Sequence, residues 1–410
     1  MSDSIVSSQS NSFVLQNRER IQSIVQLLPK IDIHTHLGGC IRSSTIYDLI
    51  KLHPNIYENP DEVVRQVQLT EGDQRNLKQC FDIFKIINSV TADLKVVERI
   101  TYETLEDYDA ENCIYLELRT TPKANSNPSY TKKDYLMCIL NTIERYFKEH
   151  ENDTNFVDVS LLVSVNRSES IEKAKENIDL AHELISERRE LQKKGHVFRS
   201  SGVVGLDFCG NPYDGNFTAF AKLFAESNLN QTIHFAEINN YEESKAMLRH
   251  CLEMNSKVKL RLGHAVCLND EIKEMLVVDK SKEELREKHT QFDRIPVEIC
   301  LTSNLLSKSV FNIHDHPLVM FYLSNHPVSI NTDDRGVFQT SLEIEYMKAI
   351  EVFDKILSNT PNNQTEIQTS LYELIRVVEK SIESIFVEDS VIEKILISYR
   401  ERVALVLAAD

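Results

Sequence analysis

No tryptophan occurs in the 410 residues, which decides nothing, but four other absences each narrow the possible functions. There is no stripe of clustered Lys and Arg. The 46 basic and 63 acidic residues leave a formal net charge of −17, and a phosphate backbone is held by clustered cations, so the composition argues against a nucleic-acid partner. Any anionic ligand must be met by a local cation. No apolar run reaches the about 18 residues of a membrane-spanning helix. The N-terminal "MSDSIVSSQSNS" lacks the basic start and apolar stretch of a signal peptide, so a soluble, cytoplasmic protein is expected. Finally, no CxxC pair exists. The cysteines at 40, 80, 113, 138, 209, 251, 267 and 300 are scattered, mostly in apolar runs, and read as buried free thiols in a reducing compartment.

What the chain does contain is a repeating pattern. Hydrophobic residues (41%) and charged residues (27%) are spread along the length, so nearly all of it can bury a core. Eight short apolar or β-branched segments are each followed by a helix-like stretch. They are "PKIDIHTH" (29–36), "CIYLELRTTP" (113–122), "DVSLLVSVNR" (158–167), "GVVGLDFCG" (202–210), "QTIHFAE" (231–237), "VKLRLGHAV" (258–266), "VEICLTSN" (297–304) and "VSINTDD" (328–334). Strand and helix alternating eight times with parallel connections predict an α/β fold of the (β/α)₈ TIM-barrel type. Residues 37–112, mostly helical in pattern, should place extra helices over one rim, and a further helical segment follows the barrel at the C-terminus. The serine-rich residues 1–20 read as a disordered tail, and 21–410 as a single barrel domain.

Such barrels carry their functional residues where strands end, on the C-terminal face. His34 and His36 end the first predicted strand, Arg119 the second, Arg167 the third, and Asp207 and Gly210 the fourth. His234 and Glu237 end the fifth, His264 the sixth, Asn304 the seventh, and Asp333 with Asp334 the eighth. Side chains at i and i+2 of a strand share a face, so His34 and His36 can bind one cation from one side. His234 and Asp333 add a third imidazole and a carboxylate, a donor set that suits one zinc ion per chain with a position open for water. A lone strand-end histidine is more often a hydrogen-bonded structural residue than a ligand. Here the barrel context, not the spacing, decides. His314 and His316 in "NIHDHPL" are spaced identically, but they precede Pro317 in a loop where nothing holds both rings on one face, and they are read as non-metal.

Glu237 is then a candidate general acid/base, His264 a residue that could polarise or orient the water, and Asp334 a proton acceptor or substrate contact. A divalent cation lowers the pKa of water toward about 7. The residues by themselves therefore give metal-assisted hydrolysis of an amide, a phosphoester or an amidine-like ring, and leave the substrate open.

Taken together and in order, "HTHLGG", "GLDFCGNP", "HFAE", "LGHA", "LTSN" and "NTDDRGVF" resemble the adenosine/AMP deaminase family of the amidohydrolase superfamily, over roughly residues 26 to 350. The resemblance implies a zinc aminohydrolase acting on C–N bonds in cyclic amidines, with metal ligands His34, His36, His234 and Asp333. It implies Glu237 as the acid for purine N1, His264 as the orienting residue for the attacking water, and Asp334 as a partner of that water and of N7. Within the family, "LELRTTP", "LKQCFDIFKIINSVT", "LLVSVNR" and "TDDRGVF" are most similar to the adenosine deaminase-like group. Its members release methylamine from N6-methyl-AMP to give IMP. A small purine nucleotide as partner and a monomeric protein are the corresponding expectations.

The resemblance also carries over substrate contacts: His36, Gly38, Asn88, Ser89, Val90, Thr91, Arg167, Gly210 and Asp334. Adenosine deaminases have an Asp at the position of Gly38 that binds the ribose 5′-hydroxyl, and a carboxylate there would repel a 5′-phosphate. Arg167 offers a forked donor for that phosphate. The deaminase-like group commonly has Asn at Gly38 and His-Gln-Leu-Thr where this chain has Asn88, Ser89, Val90 and Thr91. Those departures bear on the nucleotide preference, with adenosine deamination to inosine as the alternative. A non-catalytic barrel would show lost ligands, and a phosphoesterase would release phosphate instead of amine.

Overall fold

The computed structural model describes residues 18–52, 59–277, 294–358 and 367–409. Eight parallel strands form one sheet in sequence order: β1 (Lys30–His36), β2 (Cys113–Thr120), β3 (Asp158–Asn166), β4 (Gly202–Cys209), β5 (Gln231–Phe235), β6 (Leu260–His264), β7 (Val297–Ile299) and β8 (Val328–Ile330). Nearly every strand residue is buried, on both faces, although the sequences alternate: apolar residues at every second position are interleaved with buried polar ones such as Asp32, His34, Glu117, Arg119, Thr232 and Arg261.

The ring closes between β8 and β1 through one parallel bridge, Thr35 to Asp333. Asp333 N donates to His34 O and His36 N donates to Asp333 O, both at 2.9 Å. Below that bridge side chains replace the ladder. Ile33 N donates to Asn331 Oδ1 at 3.0 Å, and Thr332 donates to Asp32 Oδ2 through its amide (3.1 Å) and hydroxyl (2.7 Å). The seam is thus built from the residues that flank two candidate metal ligands.

Four helices among the described residues fill the stretch between β1 and β2: Ser43–Lys51, Pro60–Gln66, Leu77–Val90 and Leu94–Ala110. Leu77–Val90 begins with a capping box between Asn76 and Gln79 and packs against the Leu37–Gly39 turn that follows β1. The expected extra helices over the C-terminal rim are therefore present.

At the other end of the barrel the C-terminal segment acts as a plug. Phe386 N donates to Glu117 Oε1 at 2.9 Å, the Arg261 guanidinium lies 3.7 Å over the Phe386 ring, and Lys259 Nζ donates to Ile385 O at 3.1 Å. Helices Leu342–Ser358, Ile367–Ser381 and Asp389–Ala409 make up the helical tail.

Two sequence expectations change. Residues 18–20, assigned to the tail, are helical and continuous with a helix that runs to residue 27, while the rest of the tail, 1–17, lies outside the described residues. Asn304 does not end a strand. β7 stops at Ile299 and Asn304 sits in the helix Leu301–Leu306, a change that no Gly or Pro marks in "VEICLTSN". All eight cysteines are free thiols, and among the described residues no helix is long and apolar enough to cross a membrane.

Candidate active site

Nitrogen atoms of His34, His36 and His234 and an oxygen of Asp333 all lie within 4.8 Å of one another at the C-terminal mouth. His36 Nε2 is 3.1 Å from His234 Nε2, and Asp333 Oδ1 is 3.3 Å from His34 Nε2 and 3.6 Å from His36 Nε2. Three of the four candidate ligands are aimed from behind. His34 Nδ1 is held by Glu298 Oε2 at 2.6 Å, and His234 Nδ1 by Phe208 O at 2.9 Å and Asp207 Oδ1 at 3.1 Å. Ser303 Oγ donates to Asp333 Oδ2 at 2.7 Å. The Nε2 of His34 is buried with no hydrogen-bond partner, which an uncompensated polar atom tolerates only at a cost of about 1–3 kcal/mol. Burial and Arg119 oppose a charge on His34, yet the neighbouring Asp333 and Glu298 carboxylates outweigh them and raise its pKa to about 9. This point in the barrel attracts positive charge, and its donors fit a metal ion.

Left-handed backbone at four residues brings the other polar groups to that point. Ala236 (φ 50°), His264 and Ala265 (66° and 51°) and Asp333 (65°) each break a strand line, a strain of about 1–3 kcal/mol apiece that clusters at functional sites. The first turns Glu237 inward, where burial raises its carboxyl above the ordinary carboxylate value. Glu237 Oε2 lies 3.9 Å from His264 Nε2, and Oε1 is buried without a partner. Burial also holds His264 well below the usual imidazole range, so the ring is neutral. Burial and the neighbouring Asp333 charge push Asp334 well above the carboxylate range. A Cβ at Gly39 would stand 1.8 Å from Asp334 Oδ1, so only glycine admits that carboxyl.

The substrate-side residues divide. Gly210 (φ 106°) follows β4, and a Cβ there would meet Asn166 Oδ1 at 2.5 Å. A Cβ at Gly38 meets nothing within 4 Å, so that position faces open space. Arg167 is buried, with Nη2 2.6 Å from Glu243 Oε1 and Nε donating to Asp214 O at 2.7 Å. Its guanidinium is thus committed to a buried ion pair, though its charge still reaches Glu237. On the rim helix, Val90 is core, Ser89 Oγ donates to Ile86 O, and the Thr91 hydroxyl is buried without a hydrogen-bond partner. Asn88 Oδ1 accepts from Lys123 Nζ at 2.6 Å.

Lys123 was not among the sequence candidates. It follows β2 in "RTTPK", and burial alone lowers its ammonium to about 8. The buried ionic floor beneath the histidines was half seen: Arg119 and Asp207 were placed at strand ends, while Glu117, Arg261 and Glu298 were not named. Arg119 bridges Asp207 and Glu298, each at 3.1 Å, and Arg261 bridges Glu117 and Glu298. A Glu inside the strand "VEI" was the available signal for it. Replacing Glu298 by Gln should weaken metal retention about 10- to 100-fold by loosening His34. Dialysis against graded chelator measures this, and retention equal to wild type would remove the orienting role.

His314 and His316, spaced like the ligand pair, do diverge. His316 is buried with Nε2 3.0 Å from Asn304 Oδ1, while His314 Nε2 lies 3.7 Å from Glu351 at the surface.

A parallel barrel whose mouth gathers three imidazoles, a carboxylate and a buried acid is the architecture of a metal-dependent hydrolase. Comparison with known proteins narrows that class. Residues 29–356 match the family described as adenosine deaminase. The chain is 35% identical over 350 residues to the N6-mAMP deaminase of Arabidopsis thaliana, covering 80% of this chain and 87% of that one. It is 31% identical over 331 residues to the human N6-methyl-AMP deaminase, covering 80% and 84%. The structure of arabidopsis ADAL complexed with IMP superposes with a TM-score of 0.72 at 31% identity, covering 94% of this chain and 99% of that one. The chain belongs to the adenosine deaminase family.

Proposed function

We propose that the protein is a zinc-dependent hydrolytic deaminase converting N6-methyl-AMP and water to IMP and methylamine. The observation that carries the reaction type is the convergence of four candidate metal-ligand atoms near a buried Glu237 whose carboxyl burial raises above the ordinary value. Three imidazole nitrogens and one carboxylate oxygen are a zinc donor set, and when bound the ion activates water as a nucleophile near neutral pH. Glu237 delivers a proton to purine N1, which makes C6 electrophilic. His264 orients the attacking water, and Asp334, its carboxyl kept protonated, donates to N7. The oxygen of one water replaces the C6 amine, and its two hydrogens end on N1 and on the departing methylamine.

A nucleotide is favoured over a nucleoside by the rim. Lys123 is a cation with no carboxylate partner among the described residues, it stands beside Asn88 close in sequence to the unpaired Thr91 hydroxyl, and no carboxylate occupies the space at Gly38. The relatives named as N6-methyl-AMP deaminases support the same substrate. Mass identification of products from N6-methyl-AMP, AMP and adenosine with the zinc enzyme tests it. IMP and methylamine formed fastest from N6-methyl-AMP is the expected result. Adenosine preferred by a large factor would make the protein an adenosine deaminase.

A further inference from the structure

His316 and Asn304 have no part in the reading above, yet they join it in one line of hydrogen bonds. His316 lies buried just ahead of the helix Leu318–Leu323, and Leu318 N donates to its Nδ1 at 3.0 Å. A backbone N–H can only donate, so His316 Nδ1 is bare and the ring proton sits on Nε2. That nitrogen donates to Asn304 Oδ1 at 3.0 Å. The amide is thereby oriented, and its Nδ2 faces His264 Nδ1 at 3.3 Å. An amide nitrogen also only donates, so His264 Nδ1 accepts and the His264 proton must be on Nε2. Nε2 is the atom that faces the reaction, 3.9 Å from Glu237 Oε2 and 4.0 Å from Asp333 Oδ2.

We propose that Asn304 and His316 are positioning residues that lock His264 in the Nε2–H tautomer, so that it presents a donor to the attacking water. The role of His264 in this proposal rests on the deaminase reading; the tautomer lock itself does not. Every direction in the chain follows from the unambiguous donor at Leu318 N, with each ring and amide passing the constraint to the next. Without the lock, a neutral imidazole has its two tautomers close in energy and could present a lone pair to the water instead.

The test uses full-length zinc-loaded protein labelled with ¹⁵N at histidine, with the His264 ring assigned from its loss in H264A. Wild type is expected to show a proton on Nε2 and a bare Nδ1. Asn304→Asp has nearly the same shape but sets an acceptor against Nδ1. It should move the proton to Nδ1 and lower kcat about 10- to 100-fold, the range for partners that orient a site residue, with KM and zinc content little changed. His316→Phe should lose kcat similarly. His316→Gln, whose amide can still donate to Asn304, should recover most of it. A wild-type His264 protonated on Nδ1 overturns the proposal even where variants fail to fold. So does an unchanged nitrogen pattern in Asn304→Asp, or an equal loss in the Gln and Phe variants. Wild-type protein inactive on N6-methyl-AMP but with its proton moved by Asn304→Asp would sink the substrate reading and leave the lock standing.

Discussion

Glu237→Gln should retain its metal and its fold and lose about 10²- to 10⁴-fold in kcat, the contribution of a positioned proton donor. At about 1.36 kcal/mol per decade this is about 3–5 kcal/mol of transition-state stabilisation, all of it tied to one proton. The geometry makes the variant selective. Glu237 makes no side-chain hydrogen bond through Oε1, so the change from carboxyl to amide breaks no structural bond there, and His34, His234 and Asp333 keep their own supports from Glu298, Asp207 and Ser303. The pH dependence has a definite sign. Burial raises the Glu237 carboxyl, so the proton needed at N1 persists to higher pH than on an ordinary Glu, and activity falls as pH rises through that raised value. The variant should lack this limb and run at a low, flat rate. Kinetics with N6-methyl-AMP from pH 5 to 9, beside metal analysis, measure both. A variant near the wild-type rate would exclude Glu237 as the acid.

The strands that carry these groups were legible because each sets apolar residues at every second position within a short segment followed by a helix-like stretch. The pair His34 and His36 followed from strand periodicity, and His234 and Asp333 from their places at strand ends. What sequence periodicity could not supply is any departure from regular backbone. Ala236, His264, Ala265 and Asp333 adopt the left-handed region, which side chains with a Cβ seldom enter, so the predicted strands ran on through them. Likewise the change from β7 to helix at Leu301 has no punctuation to mark it, and Asn304 was placed on the wrong element. Glu298 and Lys123 were missed for a different reason. Their meaning depends on what faces them, His34 across the barrel in one case and the rim helix in the other, and such pairings are long-range facts.

Lys123→Met should cost the nucleotide dearly and the nucleoside almost nothing. Breaking a desolvated charge pair costs about 2–5 kcal/mol, so kcat/KM for N6-methyl-AMP should fall by between about one and a half and three and a half powers of ten. In a chain of net charge −17 the long-range field repels a phosphate, and the compensating cation has to be local. Arg167 is already committed to Glu243, whereas Lys123 has only the neutral Asn88 oxygen as a side-chain partner among the described residues. Because burial lowers this ammonium to about 8, the charge is present below that pH and is lost above it. KM for the nucleotide should therefore rise on the alkaline side while KM for adenosine stays level. Gly38→Asp approaches the same balance from the other direction, adding a negative charge in open space where a Cβ meets nothing. It should depress the nucleotide rate and spare or improve the nucleoside rate. Steady-state kinetics on both substrates with both variants decide the matter. If Lys123→Met slows adenosine and nucleotide alike, the ammonium serves to hold Asn88 and the rim helix, and the phosphate is met by another group.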